Sequence, residues 1–163
     1  MIILRQYQKD LINKINTSPD RLNCIQLATG GGWLGKTVIF SEIARQFKGR
    51  VLIVVNRIEL LQQSVNTLTE EVGTFSAETK TIPSERVVVG MVETIARRKS
   101  FDINDFDLVI VDEAHNLQFV KVIQEFKGRL LGFTATPKTD KVNYYETEDG
   151  VRWRQNVSLK KYY

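Results

Sequence analysis

Residues 28–37 read ATGGGWLGKT and lie between a short apolar run and a segment with helical periodicity. Within this stretch, Gly30, Gly35, Lys36 and Thr37 satisfy the pattern G-x-x-x-x-G-K-[ST], the phosphate-binding loop that joins a strand to a helix. Glycines let backbone N–H groups close around phosphate oxygens, and the N-terminus of the following helix adds partial positive charge. The stretch predicts a nucleotide site, with Lys36 on the terminal phosphates and Thr37 as a magnesium ligand.

The rest of the chain alternates between two kinds of segment. Short apolar runs, too continuous for one-sided strands, occupy residues 24–28, 51–55, 87–90, 108–112 and 130–135. Segments with one-sided helical spacing lie around them and are marked by Leu4, Tyr7, Leu11 and Ile15, by Ile39, Ile43 and Phe47, by Leu61, Val65 and Leu68, and by Val122 and Phe126. This alternation predicts an α/β domain with a mostly parallel sheet and helices on both faces.

The composition is that of an ordinary globular protein, since 42% of its 163 residues are hydrophobic and 26% are charged. No apolar run reaches the roughly 18 to 20 residues of a membrane span, and charge appears too early for a signal peptide, so we expect a cytoplasmic protein without a membrane partner. A lone Cys24 and a lone His115 argue against a disulfide and a zinc site. The net charge of +4 permits an acidic partner but does not select one.

A second motif, LVIVDEAH at residues 108–115, ends a predicted buried strand with two carboxylates. They would lie at the carboxyl edge of the sheet, where ligands of such sheets bind. We expect Asp112 to hold magnesium through water and Glu113 to polarise the attacking water, because phosphate hydrolysis depends on positioning and charge stabilisation. Together with Lys36 they form the predicted catalytic set. His115 is either a structural histidine or a link between the nucleotide site and a neighbouring segment.

GKT (35–37), DEAH (112–115) and GFTATP (132–137) resemble, in order and spacing, the first motor domain of superfamily 2 helicases and translocases. Further matches are LRQYQ (4–8), VNRIELLQQ (55–63) and VGMVETIARR (89–98), and the similarity is greatest to the restriction-motor and phage recombination-helicase branch. The resemblance covers nearly all of residues 1–137. It implies a RecA-like ATP-binding domain over residues 1–140, ATP and Mg²⁺ as cofactors, and DNA as the nucleic-acid partner.

The resemblance also implies roles for individual residues. The nucleotide would be bound by Arg5, Gln8, Thr29, Gly30, Gly31, Gly32, Gly35, Lys36, Thr37 and His115. Within this set, Arg5 and Gln8 are three apart, which suits one helical face, and a glutamine amide can pair with an adenine edge. Arg57 and Thr94 would contact the nucleic-acid backbone, while Glu93 stands where the family often has glutamine. Thr134 and Thr136 would couple the nucleotide site to domain motion.

Residues 141–163 differ in character from the rest, being rich in tyrosine and lysine, and Asp149-Gly150 lies between alternating stretches as in a hairpin turn. We expect an edge hairpin or a connector toward a second motor domain, and its aromatic rings either pack on the domain or stack on bases. Nothing after Pro137 resembles that second domain, which in this family supplies an arginine to phosphoryl transfer. We therefore expect one half of a motor, a fragment with little activity alone.

Two other functional classes remain open at this point. The chain could be a noncatalytic nucleic-acid-binding or interaction module that kept the fold, or a P-loop ATPase unrelated to nucleic acid. ATP binding would distinguish the motor and the unrelated ATPase from the noncatalytic module. Stimulation of ATP turnover by DNA would distinguish the motor from the unrelated ATPase.

The phosphate loop departs from the family at one place, since the family would run from ATGGG directly into KT. Trp33, Leu34 and Gly35 are therefore interpreted as an insertion, although Gly35 restores the general spacing from Gly30. Either Gly30 begins a normal cradle after a lengthened strand, or strand and helix keep their places and the loop bulges outward. We expect the bulge, and with it weakened ATP binding.

Overall fold

The computed structural model describes residues 3–19, 21–26, 34–68, 70–112, 119–123, 125–134, 145–146 and 152–155. Its strands are β1 (Leu22–Gln26), β2 (Val51–Val55), β3 (Val72–Phe75), β4 (Val87–Met91), β5 (Leu108–Asp112), β6 (Arg129–Thr134), β7 (Tyr145–Glu146) and β8 (Arg152–Gln155). Its helices are α1 (Gln6–Thr17), α2 (Leu34–Gln46), α3 (Ile58–Thr67), α4 (Val92–Arg97) and α5 (Val120–Ile123), and a 3-10 turn at Ile103–Asp105 precedes β5.

All described strands belong to one sheet, in the order β3-β4-β2-β5-β6-β1-β8-β7. The first six strands in this order run parallel, with Val51 of β2 facing Val87 of β4 on one side and Leu108 of β5 on the other. Helices or helical turns lie between most of these strands along the chain, as parallel connections require. The predicted α/β class with a mostly parallel sheet is confirmed.

The side chains of β2 show how both faces of the sheet are covered. All five β2 residues are fully buried. Val51, Ile53 and Val55 pack on the face that carries α1, α2 and α3, whereas Leu52 and Val54 pack on the face that carries α4, the 3-10 turn and α5. Burying each such side chain contributes about 1.5 to 3 kcal/mol. Because both faces of β2 are covered, all of its residues are apolar, which explains the continuous apolar run. The predicted helices on both faces of the sheet are confirmed.

The hairpin strands complete the sheet beyond β1. Strand β8 pairs antiparallel with β1, and β7 pairs antiparallel with β8, so Tyr145 faces Trp153. The strands flanking Asp149-Gly150 therefore extend the same sheet as the parallel strands. The division of the chain at residue 140 stays a prediction.

Several details differ from the sequence predictions. Strand β3 (Val72–Phe75) was not predicted, because its residues alternate between half-buried and buried and give no continuous apolar run. Helix α5 ends at Ile123, so Phe126 is a buried residue beyond the helix. Helix α1 begins at Gln6, and Leu4 packs on the core from the segment before it.

Arginine side chains anchor the amino edge of the sheet. Arg86, just before β4, donates to the carbonyl oxygens of Ala44 in α2 (2.9 Å) and of Phe47 (2.5 Å) and Gly49 (3.1 Å) just after it, and it pairs with Glu70. The last carbonyls of a helix have no partner within the helix, so the bond to Ala44 satisfies one of them, and the bonds to Phe47 and Gly49 fix the segment that follows. They hold the C-terminal end of α2, and thereby orient the helix whose other end lies in the candidate site.

Arg129, at the start of β6, performs the same task for α1 by donating from Nη2 to the carbonyl oxygen of Ile15. Burial lowers the pKa of the Arg129 guanidinium from its ordinary value. An arginine remains protonated at neutral pH despite such a shift. The contact therefore ties the end of α1 to the sheet with a charged donor.

Candidate functional site

The carboxyl ends of the parallel strands lie at one edge of the sheet, and several of the predicted site residues lie at this edge. Lys36 and Thr37 are the third and fourth residues of α2, which follows β1, and Asp112 is the last residue of β5. Because the first backbone N–H groups of a helix lack partners within it, the N-terminal turn of α2 favours an anion there.

A short ion pair joins these two segments. Lys36 Nζ lies 3.3 Å from Asp112 Oδ1, and the two side chains are 15% and 4% exposed. Thr37 is also buried, with 3% of its surface exposed. The Lys36 ammonium, the Asp112 carboxylate and the Thr37 hydroxyl thus lie in two short segments at one edge of the sheet. Because the Lys36–Asp112 ion pair has little contact with water, the attraction between its charges is only weakly screened. The arrangement offers positive charge to a phosphate and oxygen ligands to a hard divalent cation.

The two residues predicted to recognise adenine are placed differently from each other. Arg5 precedes α1 as its N-cap residue and is exposed, whereas Gln8 is buried in the first turn. The expectation that they share a helical face is therefore wrong, because the helix begins after Arg5. Gln8 Oε1 accepts a hydrogen bond from the Arg5 backbone N–H at 2.8 Å. The glutamine amide consequently caps the start of α1, a role that the spacing Arg-x-x-Gln allows but does not require.

The residues expected on nucleic acid follow β2 and β4 at the same edge. Arg57 is exposed immediately before α3. Thr94 is buried in α4, with 8% of its surface exposed, and the neighbouring Glu93 is exposed in the first turn of that helix. Of the two predicted contacts, Arg57 alone is presented on the surface.

Asn56 is a polar residue at this edge that sequence reasoning did not single out. It directly follows β2, and its Oδ1 atom is buried without a hydrogen-bond partner among the described residues. Its position next to Arg57 within VNRIELLQQ was the available signal. Buried carbonyl oxygens are seldom left without a partner, so this atom is a candidate for a ligand or water contact.

The remaining predicted residues fall into two groups. Thr134 is the last residue of β6 and faces Gln26 of β1 in the sheet register, and Gly35 lies in the first turn of α2. Outside the described residues lie Thr29, Gly30, Gly31, Gly32, Trp33, Glu113, His115 and Thr136. The predicted bulge of the loop also falls outside them, although Leu34 and Gly35 of the insertion belong to α2.

The described part of the chain contains no group of three or more His, Cys, Asp and Glu side chains that could hold a metal ion. No helix in it is long and apolar enough to cross a membrane.

Comparison with known proteins agrees with the predicted fold and family. Residues 1–139 match the family described as "Type III restriction enzyme, res subunit". The chain belongs to this family. The resemblance to superfamily 2 motors of the restriction-motor branch is thereby confirmed, and so is the RecA-like interpretation of the sheet.

Individual relatives show how similar the chain is to known proteins. The chain is 34% identical over 168 residues to a putative ATP-dependent helicase, IRC3, of Saccharomyces cerevisiae, covering 82% of this chain and 23% of IRC3. It is 28% identical over 151 residues to a putative ATP-dependent RNA helicase, QP509L, of African swine fever virus, covering 82% of this chain and 29% of that protein.

The structure of the UvsW helicase from bacteriophage T4 superposes with a TM-score of 0.68 at 16% identity, over 99% of this chain and 57% of the chain in that structure. At that identity the superposition shows a shared fold. The chain spans about a quarter of the length of the curated relatives it matches.

Proposed function

We propose that this chain is the ATP-binding N-terminal motor domain of an ATP-dependent helicase or translocase. The observation that carries the proposal is the 3.3 Å contact between Lys36 Nζ and Asp112 Oδ1, which unites two motifs from distant parts of the chain at one sheet edge. A glycine turn alone or a carboxylate pair alone would have ordinary structural explanations. Together, a lysine at a helix N-terminus and a carboxylate at a strand end make a site for a phosphate with its cation.

The chemistry of the donors fits a nucleotide with magnesium. Lys36 would bind the terminal phosphates, and the buried Thr37 hydroxyl and Asp112 carboxylate would hold the cation, directly or through water. When bound, magnesium supplies positive charge to the phosphates as negative charge develops on them. Glu113, the residue after Asp112, would orient the attacking water.

The remaining nucleotide contacts would come from the loop and from α1. The glycines Gly30, Gly31, Gly32 and Gly35 would present backbone N–H groups to the phosphates, and Thr29 and His115 would border them. Gln8 would recognise adenine: its Oε1 atom has two lone pairs, so it can accept from the base while it accepts from Arg5. The exposed Arg5 would lie beside the base.

Nucleic acid would run along the same edge of the sheet, with Arg57 as a backbone contact. The guanidinium is exposed at the carboxyl end of β2, where it can reach a phosphate without reading sequence. We propose DNA as the nucleic acid because the description of the matched family names a restriction enzyme. Since the relative QP509L is named an RNA helicase, RNA is the competing outcome. Thr94 would contribute after a local rearrangement, because it is buried.

We further propose that activity of the whole protein needs a second RecA-like domain, and that the protein acts in the cytoplasm. An arginine supplied from another domain stabilises charge in phosphoryl transfer and raises rates by several orders of magnitude. Thr134 and Thr136, at and beyond the end of β6, would transmit the state of the nucleotide to that domain. This chain alone would then hydrolyse ATP slowly and would not separate strands.

The test is a comparison of ATP binding and hydrolysis by the 163-residue chain, alone and with single-stranded DNA or RNA. We expect ATP binding, slow turnover, and stimulation by DNA above RNA. Replacing Glu113 by Gln should leave binding intact and lower turnover by about 100-fold, the effect of removing a water-orienting group. Absence of ATP binding would favour a noncatalytic module, and turnover indifferent to both nucleic acids would favour an unrelated ATPase. Wild-type turnover of the Glu113→Gln variant would refute the role of Glu113.

A further inference from the structure

We propose that strands β7 and β8 bring Arg152 to the nucleotide site, where it is an additional ligand for the phosphates of the nucleotide. Arg152 lies beyond residues 1–139, the range that the family match covers. The inference rests on the proposed function, because it assigns a further residue to the same ATP site.

The position of Arg152 follows from the pairing of β8 with its two neighbours. Strand β8 runs antiparallel to β1, so Arg152, its first residue, faces Gln26, the last residue of β1. On its other side Arg152 faces Glu146 of β7. Because β1 runs parallel to β6 and β6 to β5, the end of β1 lies at the same edge of the sheet as the end of β5. Arg152 therefore lies at the edge that carries the candidate site.

Gln26 is also the residue after which the chain leaves the sheet toward the helix that carries Lys36. Residues 27–33 connect β1 to α2, and the sequence pattern for phosphate binding begins within them at Gly30. Neighbouring strands lie about 4.8 Å apart, so the backbone of Arg152 is one such spacing from the strand that leads into this connection. An extended arginine side chain is longer than that spacing. A nucleotide bound at the connection is thus within its reach.

Two rows of residues that face one another across β7, β8, β1 and β6 differ in composition. The inner row is apolar or aromatic throughout and consists of Tyr145, Trp153, Ile25 and Phe133. The outer row, at the carboxyl edge, is polar throughout and consists of Glu146, Arg152, Gln26 and Thr134. The inner row has the composition of a core. The outer row offers charged and hydrogen-bonding groups at the edge where sheets of this class bind ligands.

The nucleotide is the nearer of the two proposed ligands. Strand β8 is next to β1, whereas β2, which leads to Arg57, is separated from β8 by β5, β6 and β1. At about 4.8 Å for each step, β2 lies roughly 19 Å from β8. A guanidinium group suits a phosphate because it can donate two parallel hydrogen bonds. We therefore assign Arg152 to the nucleotide, and a nucleic-acid contact is an alternative that the test must exclude.

Glu146 gives Arg152 a purely structural alternative role. Opposite charges that face each other on antiparallel strands attract, and such a pair would stabilise the hairpin. In that case, removing either charge has the same effect on stability and no effect on ATP binding. A phosphate ligand behaves differently, because it is lost with Arg152 alone. Removing Glu146 would instead relieve the repulsion between its carboxylate and the phosphates.

The experiment is a calorimetric titration of the 163-residue chain with ATP in excess magnesium. Arg152→Met and Arg152→Gln should each bind ATP about tenfold more weakly, since each loses a charged hydrogen bond to a phosphate. Glu146→Gln should bind ATP as tightly as wild type or more tightly. The matched control is Arg154→Met, which removes the same charge from β8 two residues further from the edge, opposite Cys24. Thermal melting of each variant verifies that it is folded.

The outcomes separate this inference from the proposed function. Weaker ATP binding by both Arg152 variants, with Arg154→Met equal to wild type and Glu146→Gln not weakened, supports the inference. Wild-type ATP affinity of either folded Arg152 variant overturns it and leaves the proposed function intact. Equal weakening by Arg154→Met or by Glu146→Gln also overturns it, since the effect would then belong to overall charge or to the hairpin.

Two further measurements complete the test. Fluorescence anisotropy with a single-stranded oligonucleotide should give the same affinity for Arg152→Met and wild type. A loss of oligonucleotide binding without a loss of ATP binding would place Arg152 in the nucleic-acid interface and overturn the inference. Lack of ATP binding by the wild-type chain would overturn the proposed function itself, and the inference with it.

Discussion

The side-chain oxygen Oε1 of Gln8 accepts a hydrogen bond from the backbone N–H of Arg5 at 2.8 Å. The residue proposed to recognise adenine is therefore also the residue that caps α1, and it is buried while doing so. Helix α1 packs through Leu11, Ile12 and Ile15 on the same face of the sheet as α2. The start of α1 and the proposed adenine contact consequently depend on one amide group.

Substitutions of Gln8 can separate these two tasks. Gln8→Ala removes both and should lower the free energy of unfolding by about 1 kcal/mol, the usual cost of losing a cap. Gln8→Glu keeps an oxygen for the Arg5 N–H but loses the N–H donor that an adenine ring nitrogen requires. It should retain more stability than Gln8→Ala while losing the preference for ATP over GTP.

Urea denaturation and competitive nucleotide binding measure these two properties. Equal preference for ATP in wild type and Gln8→Glu would remove Gln8 from the adenine site. A Gln8→Ala variant as stable as wild type would show that the cap contributes nothing.

Arg57 should carry salt-sensitive binding of nucleic acid. Arg57→Ala removes one phosphate contact, which should reduce the slope of log affinity against log salt by about 1. Fluorescence anisotropy with a single-stranded oligonucleotide, from about 50 to 200 mM salt, measures the slope. Lys48→Ala is the control, because it removes an exposed positive charge just before β2, at the opposite edge. Equal slopes for the two variants would exclude Arg57 from the interface.

Arg86 should matter for stability and not for the nucleotide. Its guanidinium donates to Ala44, Phe47 and Gly49, so Arg86→Met leaves several carbonyl oxygens and the Glu70 carboxylate without this donor. We expect a loss of about 2 to 3 kcal/mol in the free energy of unfolding, measured by urea denaturation.

An arginine of α2 itself, Arg45, provides the comparison for Arg86. Arg45→Met removes an exposed arginine whose one described partner is Glu42, also in α2, and should change stability little. The contact with Arg45 lowers the pKa of the Glu42 carboxyl from its ordinary value. Similar losses in the two variants would show that the bonds to the end of α2 are unimportant. ATP affinity of folded Arg86→Met should equal that of wild type.

Deleting Trp33, Leu34 and Gly35 should strengthen ATP binding, because it restores the ATGGGKT spacing of the family. The first two residues of α2 would be lost, and Lys36 would follow Gly32 directly. One or two further backbone N–H groups directed at the phosphates would raise the affinity by about tenfold. Calorimetry with ATP and magnesium measures it, and Trp33→Ala, which keeps the loop length, serves as control. Equal affinity of the deletion variant and wild type would refute the bulged loop.

The strands show where sequence patterns suffice and where they do not. Strands β2 and β5 were predicted to the residue, since buried neighbours on both faces require continuous apolar runs such as VLIVV and LVIVD. Strand β3 was missed because it lies at one end of the strand order, where β4 is its one partner among the described strands and its residues are alternately half-buried. A strand with a single partner needs fewer apolar residues, and its sequence resembles that of a loop.

The sequence by itself determined the α/β class of the fold, the positions of β2 and β5, and the motifs that carry Lys36, Thr37 and Asp112. Apolar periodicity, glycine spacing and charged residues are local properties, and they are encoded within a few neighbouring positions. Only the tertiary structure decided that Lys36 and Asp112 pair at 3.3 Å, that Gln8 is buried in a cap, and that Thr94 is covered while Arg57 is exposed. Distance and burial depend on how distant segments pack together, because the same side chain can face solvent, a partner or the core.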